Sequence, residues 1–481
     1  MCVRDTGQPE RRRSSIREAS LVQFFDPTQT SADNGSATVL SSAINLCNTL
    51  MGTGLLAMPG VMERSGWIPG LVLLLLMSLA NAFSVEAVFR LCRFAGRPTS
   101  LGEIGDKAAA RASIVIDLAV ALNCVGTACS YVIVSTGNFE TTFGGPRFLW
   151  VIVTVAIAAP IAFLKDMDSL RHTSFAAVAI LLYIVVLIIV YAPLHPCDSD
   201  KAQPEFCPPG DTAVATDFVG ALRSFGALAL AYNCQFSIPP IYNEMDTPTP
   251  QRCAKVYWLG FGLVTSLYLI VAVSGYYTFG NVVPSNIVDA YPKNVPVSIA
   301  RVGLSLVVIF SYPIMAFATR NAMDSALSSF GLCCCPNVAC LQDQAAGSIG
   351  ETEPKDTTLV SSLTRKSVAL PEDLSRIQRE LLRLRTYSFG SKFETQRRRV
   401  AITLGFIAFT TLIGLALDDI GKVVDLIGSV CGSMIAFAFP CWAYFKLFPD
   451  RRASPFSVFS SALLVLGLVL IPLGVALTVL F

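Results

Sequence analysis

Apolar residues in this chain are gathered into long unbroken runs, and polar residues are gathered between them. Eleven runs are long enough to cross about 30 Å of hydrocarbon at 1.5 Å per residue. They cover 39–62, 67–92, 112–137, 148–164, 173–193, 214–243, 254–278, 296–322, 400–417, 421–445 and 454–480. Proline, glycine and charge concentrate in the stretches that separate them. The pattern predicts an all-α membrane protein of about eleven transmembrane helices, referred to below as spans 1 to 11.

Composition points the same way. Of 481 residues, 53% are hydrophobic and only 15% charged, and mean hydropathy is +0.58. Soluble domains carry roughly 25% charged residues, so the lipid bilayer is the expected solvent. A net charge of +2 lacks the basic excess of a nucleic-acid binder, and no nucleic-acid partner is expected. The first 38 residues are polar, with Arg11, Arg12 and Arg13 in a row and no apolar signal region. The first apolar run is therefore expected to serve as its own insertion signal.

Loop charge predicts orientation. With the N-terminus in the cytoplasm, the short loops on that side and the span ends beside them hold twelve lysines and arginines against five opposite, which satisfies the positive-inside rule. The chain then divides into a disordered cytoplasmic tail (1–38), spans 1 to 8 (39–322), a cytoplasmic loop (323–399) and spans 9 to 11 (400–481). The loop opens with Cys333, Cys334, Cys335 and Cys340. These suit palmitoylation or are plain reduced thiols. Toward its end Leu374, Ile377, Leu381 and Leu384 recur at helical spacing among arginines. That pattern reads as a basic amphipathic helix for the inner leaflet or a cytoplasmic regulatory partner, or as a solvated linker helix.

Spans 1 and 6 are interrupted near their middles. In span 1, Gly52, Thr53 and Gly54 break the run and Pro59 follows; in span 6, Tyr232-Asn233 sits centrally between Gly226 and Pro239-Pro240. Backbone in lipid must satisfy its own hydrogen bonds, so breaks make sense where freed groups face protein or a ligand. Spans 1 and 6 head two five-helix halves, 1–5 and 6–10. Matched interruptions of this kind point to inverted repeats with a midplane binding site. Amides at half-helix N-termini suit a carboxylate, and carbonyls at half-helix C-termini suit an ammonium or Na⁺. Acidic and basic side chains are scarce in mid-membrane, which fits a zwitterion held largely by backbone.

The stretch NLCNTLMGTGLLAMPG (45–60), with Gly66 shortly after, resembles the first-helix signature of the amino acid/auxin permease family. It is most similar to the sodium-coupled neutral amino acid transporters and the vacuolar amino acid transporters. AYNCQFSIPPIYNEM (231–245) is similar to that family's sixth helix, departing from it in carrying Gln235 where many relatives have histidine. The resemblance implies the leucine-transporter fold with two inverted five-helix repeats, and secondary active transport of small or neutral amino acids by alternating access. It further implies a plasma membrane or vacuolar/lysosomal membrane location. Residue by residue, it implies substrate contacts at Thr49, Leu50, Met51, Gly52, Thr53 and Gly54 of span 1. Ala231, Tyr232 and Asn233 of span 6 would face them, with Tyr131 of span 3 closing the site. The family's Na⁺ position would fall on Asn45 or Asn48 with Ser311. Proton-coupled relatives keep a small polar residue there too, so Na⁺ and H⁺ both stand as coupling ion. No other cofactor is expected.

Of fifteen cysteines, Cys47, Cys92, Cys124, Cys129, Cys431 and Cys441 are among those that lie in apolar runs as small hydrophobes, whereas Cys197 and Cys207 lie in the polar loop between spans 5 and 6. Charge puts that loop in an oxidising compartment, the nine intervening residues let the chain fold back, and related transporters often carry a bridge here. A Cys197–Cys207 disulfide is expected, with two free thiols as the alternative.

Other classes fit less well. Only two histidines occur, His172 and His195, and there is no HExxH or Cys/His metal spacing, so no enzyme is expected. No channel filter motif or charge ring is evident. An amino acid sensor signalling through its tail or loop would keep the same core, and stands as the alternative function.

Overall fold

Each of the eleven apolar runs coincides with a helix or a broken pair of helices in the computed structural model of the protein. The structure describes residues 35–163, 171–194, 197, 207–216, 218–329, 397–417, 425–449 and 454–480. Residues 1–34 of the tail, the cysteine cluster at 333–340 and the amphipathic segment at 374–384 lie outside the described residues.

In chain order, span 1 comprises α1 (Val39–Leu50) and α2 (Met58–Ser65), and span 2 is α3 (Trp67–Ala95). A short helix, α4 (Leu101–Ala108), lies in the following loop, and spans 3 to 5 are α5 (Ala112–Phe143), α6 (Arg147–Ala162) and α7 (Arg171–Tyr191). Span 6 comprises α8 (Phe218–Ala231) and α9 (Ile238–Glu244); spans 7 and 8 are α10 (Pro250–Phe279) and α11 (Val295–Ser329). Spans 9 to 11 are α12 (Arg397–Ala416), α13 (Asp425–Leu447) and α14 (Pro455–Leu480). Among the described residues, seven helices are individually long and apolar enough to cross a membrane, and α1 with the second half of span 1 forms one further span bent by 52°. Span 8 continues seven residues past its apolar run, and the Asp324–Arg398 ion pair (2.7 Å) ties its end to the start of span 9.

Local chemistry explains the breaks. Thr38 caps α1 by accepting from the Ser41 amide at 3.2 Å. The helix stops where Gly52 takes φ −45°, ψ −138°, outside the helical basin. A 3₁₀ turn (Thr53–Ala57) follows, and α2 restarts with Pro59 in its first turn, where a missing N–H removes nothing. Span 6 repeats the device: α8 ends at Ala231, a 3₁₀ turn covers Gln235–Ser237, and Pro239 and Pro240 open α9. Gly66 turns the corner into α3 at φ +83°, and a Cβ there would lie 2.6 Å from the Ala215 Cα. Both restrictions demand glycine.

The broken spans lie inside the bundle. α10 packs on α1 and α2, α5 runs along α11, and α8 packs against the start of α13. That part of α13 is π-helical over Gly428–Gly432 and Met434–Ala438, a widening often found at functional sites. It comes so near α8 that a Cβ at Gly428 would lie 2.0 Å from the Gly226 carbonyl oxygen. Outward positions such as Leu75, Leu76, Leu122, Ile152, Leu412 and Leu468 are exposed apolar residues, as a lipid-facing surface requires. In the loop after span 5, Cys197 and Cys207 form a disulfide with Cα atoms 5.4 Å apart.

Candidate substrate site between the two broken spans

A small cavity of about 30 Å³ lies where the two breaks face each other, lined by Thr49, Leu50, Gly52, Gly54, Asn123, Thr127, Tyr131, Leu230, Ala231, Asn233, Phe236 and Met315. Seven of the ten residues expected at a substrate site are among them. The breaks put backbone on the cavity wall, and spans 3 and 8 close its sides with Tyr131 and Met315. A volume of this size holds one or two waters, so an amino acid needs the spans to part.

Met51 and Tyr232 do not line it. Both are fully buried, because successive residues at a break point in different directions. Tyr232 turns to the far side: its hydroxyl donates to Thr265 Oγ1 at 3.3 Å, and its ring lies 6.1 Å from Phe261 and 5.2 Å from Tyr268. Thr53 belongs to the 3₁₀ turn, and its side chain lies outside the described set.

The wall is polar but uncharged. Asn233 Nδ2 donates to Asn123 Oδ1 at 2.8 Å, across from span 6 to span 3. Asn233 Oδ1 is buried without a hydrogen-bond partner, an exception that calls for a ligand or water. Gln235 stabilises the break from behind: Nε2 donates to Asn81 Oδ1 of span 2 at 3.1 Å, and Oε1 accepts from the Cys234 amide at 3.0 Å. Sequence reasoning missed Asn123, Thr127, Leu230, Phe236 and Met315.

For the expected cation position, Ser311 is half-buried and donates to the Val307 carbonyl at 2.9 Å. It lies one turn from Met315, hence on the face of α11 that meets the cavity. Asn45 lies one turn from Thr49, which donates to its carbonyl at 3.0 Å, and Asn48 precedes Thr49. Pro313 stands inside α11, and its missing N–H removes the helical partner of the Ile309 carbonyl.

Contacts tie the outer halves of the broken spans to their neighbours at both ends. Arg64 at the end of α2 bonds Asp425 at the start of α13 at 2.9 Å. At the opposite end, Ala37 pairs with the end of α9 through Glu244 O (2.9 Å) and the Asp246 amide (3.0 Å). Arg97 adds a bond to Tyr242 O at 2.6 Å.

Residues 35–480 match the family described as transmembrane amino acid transporter protein. Vacuolar amino acid transporter 6 of Saccharomyces cerevisiae is 25% identical over 428 residues, 85% of this chain and 90% of that protein. Sodium-coupled neutral amino acid transporter 7 of Mus musculus is 23% identical over 463 residues, 92% and 86% of the two. Among solved structures, MhsT in complex with L-phenylalanine superposes with a TM-score of 0.51 at 13% identity, covering 93% of this chain and all of that one. A Na⁺-coupled sialic acid symporter gives 0.50 at 12% identity, covering 99% and 98%. The fold is therefore the leucine-transporter fold, and by a match running nearly end to end the chain belongs to the transmembrane amino acid transporter family, a family of transporters and not of enzymes.

Proposed function

We propose that this protein is a secondary active transporter that moves neutral amino acids by alternating access through the cavity between spans 1 and 6. The observation that carries this reading is the pairing of two broken helices around an uncharged, polar cavity. The substrate's ammonium would meet the carbonyl ends of α1 and α8 at Leu50 and Ala231. Its carboxylate would meet the amides that open the 3₁₀ turn at Gly52, Thr53 and Gly54, which have no partner earlier in the helix. Asn123, Asn233 and Thr127 would receive the side chain. A charged side chain would find no counter-charge there, and desolvating it is expensive.

The coupling ion we propose is Na⁺, held by Ser311, Asn45 or Asn48 and the Ile309 carbonyl that Pro313 frees. Relatives and fold neighbours named as sodium-coupled support this, as does the choice of oxygen donors. The Arg64–Asp425 pair would close the outer side, and the ties at Ala37 and Arg97 the inner side. This assignment takes the N-terminus as cytoplasmic, as the loop charges favour, in a vacuolar or plasma membrane. The 1–38 tail and 323–399 loop would then face the cytoplasm. The sensor alternative has no observation in its favour. Uptake of twenty radiolabelled amino acids into proteoliposomes, under separate Na⁺ and pH gradients, tests the whole reading; binding without flux for every substrate would overturn it.

A further inference from the structure

Behind the cavity, the Tyr268 hydroxyl lies between the two half-helix ends. It donates to the carbonyl of Leu50, the last residue of α1, and to that of Ala231, the last residue of α8, the latter at 3.0 Å. Three features hold it there. Tyr268 is fully buried. Its ring packs against Tyr232 at 5.2 Å. Gly54 leaves no side chain in its way, since a Cβ at that position would lie 3.1 Å from the hydroxyl oxygen. Span 7 thus sends one donor to two acceptors on two different broken spans.

A helix end leaves its last carbonyls without helical partners, and an unpartnered buried carbonyl is costly. A transporter that releases its cargo must satisfy these carbonyls again before the empty protein can reorient. A hydroxyl carries one proton, so it meets the two carbonyls in alternation and leaves one open to a second donor. An ammonium brings three protons and can displace it from both.

We propose that Tyr268 is a positioning residue that stands in for the substrate's ammonium at Leu50 and Ala231 when the carrier is empty, and so permits the empty carrier to return. The inference rests on the transport reading above. Its signature is a split between two kinds of flux. Exchange of internal for external amino acid needs no reorientation of the empty carrier, whereas net uptake does.

The test compares net uptake into empty proteoliposomes with exchange into proteoliposomes preloaded with the same amino acid, for wild type and Tyr268→Phe. The variant keeps the ring and loses only the hydroxyl. Net uptake is expected to fall roughly tenfold while exchange stays within about twofold, and KM is expected to fall because no hydroxyl competes with the ammonium. Equal losses in both fluxes, or no loss in either, would overturn the role of Tyr268 and leave the transport reading intact. Wild-type protein that moves no amino acid in either mode would instead overturn the transport reading. Should Tyr268→Phe fail to fold, 3-fluorotyrosine at 268 supplies a stronger donor of nearly the same shape. KM is then expected to rise about two- to threefold by stronger competition, and an unchanged KM would count against the proposal.

Discussion

Arg64 and Asp425 stand 361 residues apart in sequence and meet through one guanidinium nitrogen, which reaches both carboxylate oxygens at 3.1 and 2.9 Å. Their side chains are 19% and 16% exposed, so the pair is more shielded than an ordinary surface salt bridge. It joins the second half of span 1 to span 10, beside the place where α8 and α13 touch through Gly226 and Gly428.

A charge-assisted contact of this kind is worth on the order of 1.5–3 kcal/mol, enough to shift an open–closed balance roughly tenfold. Arg64→Gln is expected to lower the rate of uptake by about that factor while amounts at the membrane stay normal. The double reversal Arg64→Asp with Asp425→Arg should recover a good part of it. Uptake kinetics with surface labelling checks this, and full activity in both single variants would remove the pair from the gate.

The two glycines of the span 1 break should respond unequally to alanine. At Gly54 a Cβ would lie 2.8 Å from the Ala231 Cβ and 2.9 Å from its Cα, atoms fixed by a buried backbone. At Gly52 the nearest atom is the Tyr131 hydroxyl, at 3.1 Å, the far end of a side chain that can turn. Gly54→Ala is therefore expected to abolish uptake, whereas Gly52→Ala should retain a measurable fraction with a raised KM. Concentration series for the two variants at matched expression decide it; the reverse order would contradict the geometry.

How much of this was legible in the sequence depends on whether a residue breaks a local rule. Gly52, Gly54, Pro59, Pro239 and Pro240 interrupt apolar runs, and each announces a break that is there. The eleven runs became helices because lipid leaves the backbone few other options. Asn123, Thr127 and Met315 gave no such signal. They sit on continuous helices, and only the packing of α5 and α11 around the breaks turns them toward the cavity. Tyr232 illustrates the opposite limit: its place in the break was readable, but the direction of its side chain was not. That direction follows from Thr265 and Phe261 on span 7, some thirty residues later. Tyr268 on the same span lies in a run with nothing locally to single it out.

Ser311 provides a test of the coupling ion. Its hydroxyl lies next to a turn opened by Pro313 and donates its proton to Val307 O, so that its oxygen lone pairs can ligate a cation. Ser311→Ala should raise the Na⁺ concentration for half-maximal uptake roughly tenfold, the loss expected for one oxygen ligand. Substrate affinity at saturating Na⁺ should change much less. Uptake that ignores Na⁺ in wild type and variant alike, and follows an imposed pH gradient instead, would assign the coupling to protons.

The Asn123–Asn233 pair supports a prediction about selectivity. One hydrogen bond of 2.8 Å joins the two carboxamides, and Asn233 Oδ1 remains buried without a partner at the cavity wall. An acceptor left in that condition destabilises the site until a donor reaches it. A substrate whose side chain carries a hydroxyl or amide donor can supply one, whereas alanine cannot. Removing the orienting partner should erase the difference. Asn123→Ala frees the Asn233 carboxamide to rotate, so a substrate with a donor side chain should lose roughly tenfold in apparent affinity, the value of about one hydrogen bond. Alanine should lose little, because the backbone contacts proposed at Leu50, Gly52 and Ala231 are untouched. The measurement is a set of competition curves against one labelled amino acid, with alanine, serine and asparagine as competitors. Parallel shifts for all three would mean that the pair shapes the break without reading the side chain, and selectivity would then rest on Phe236, Leu230 and Met315.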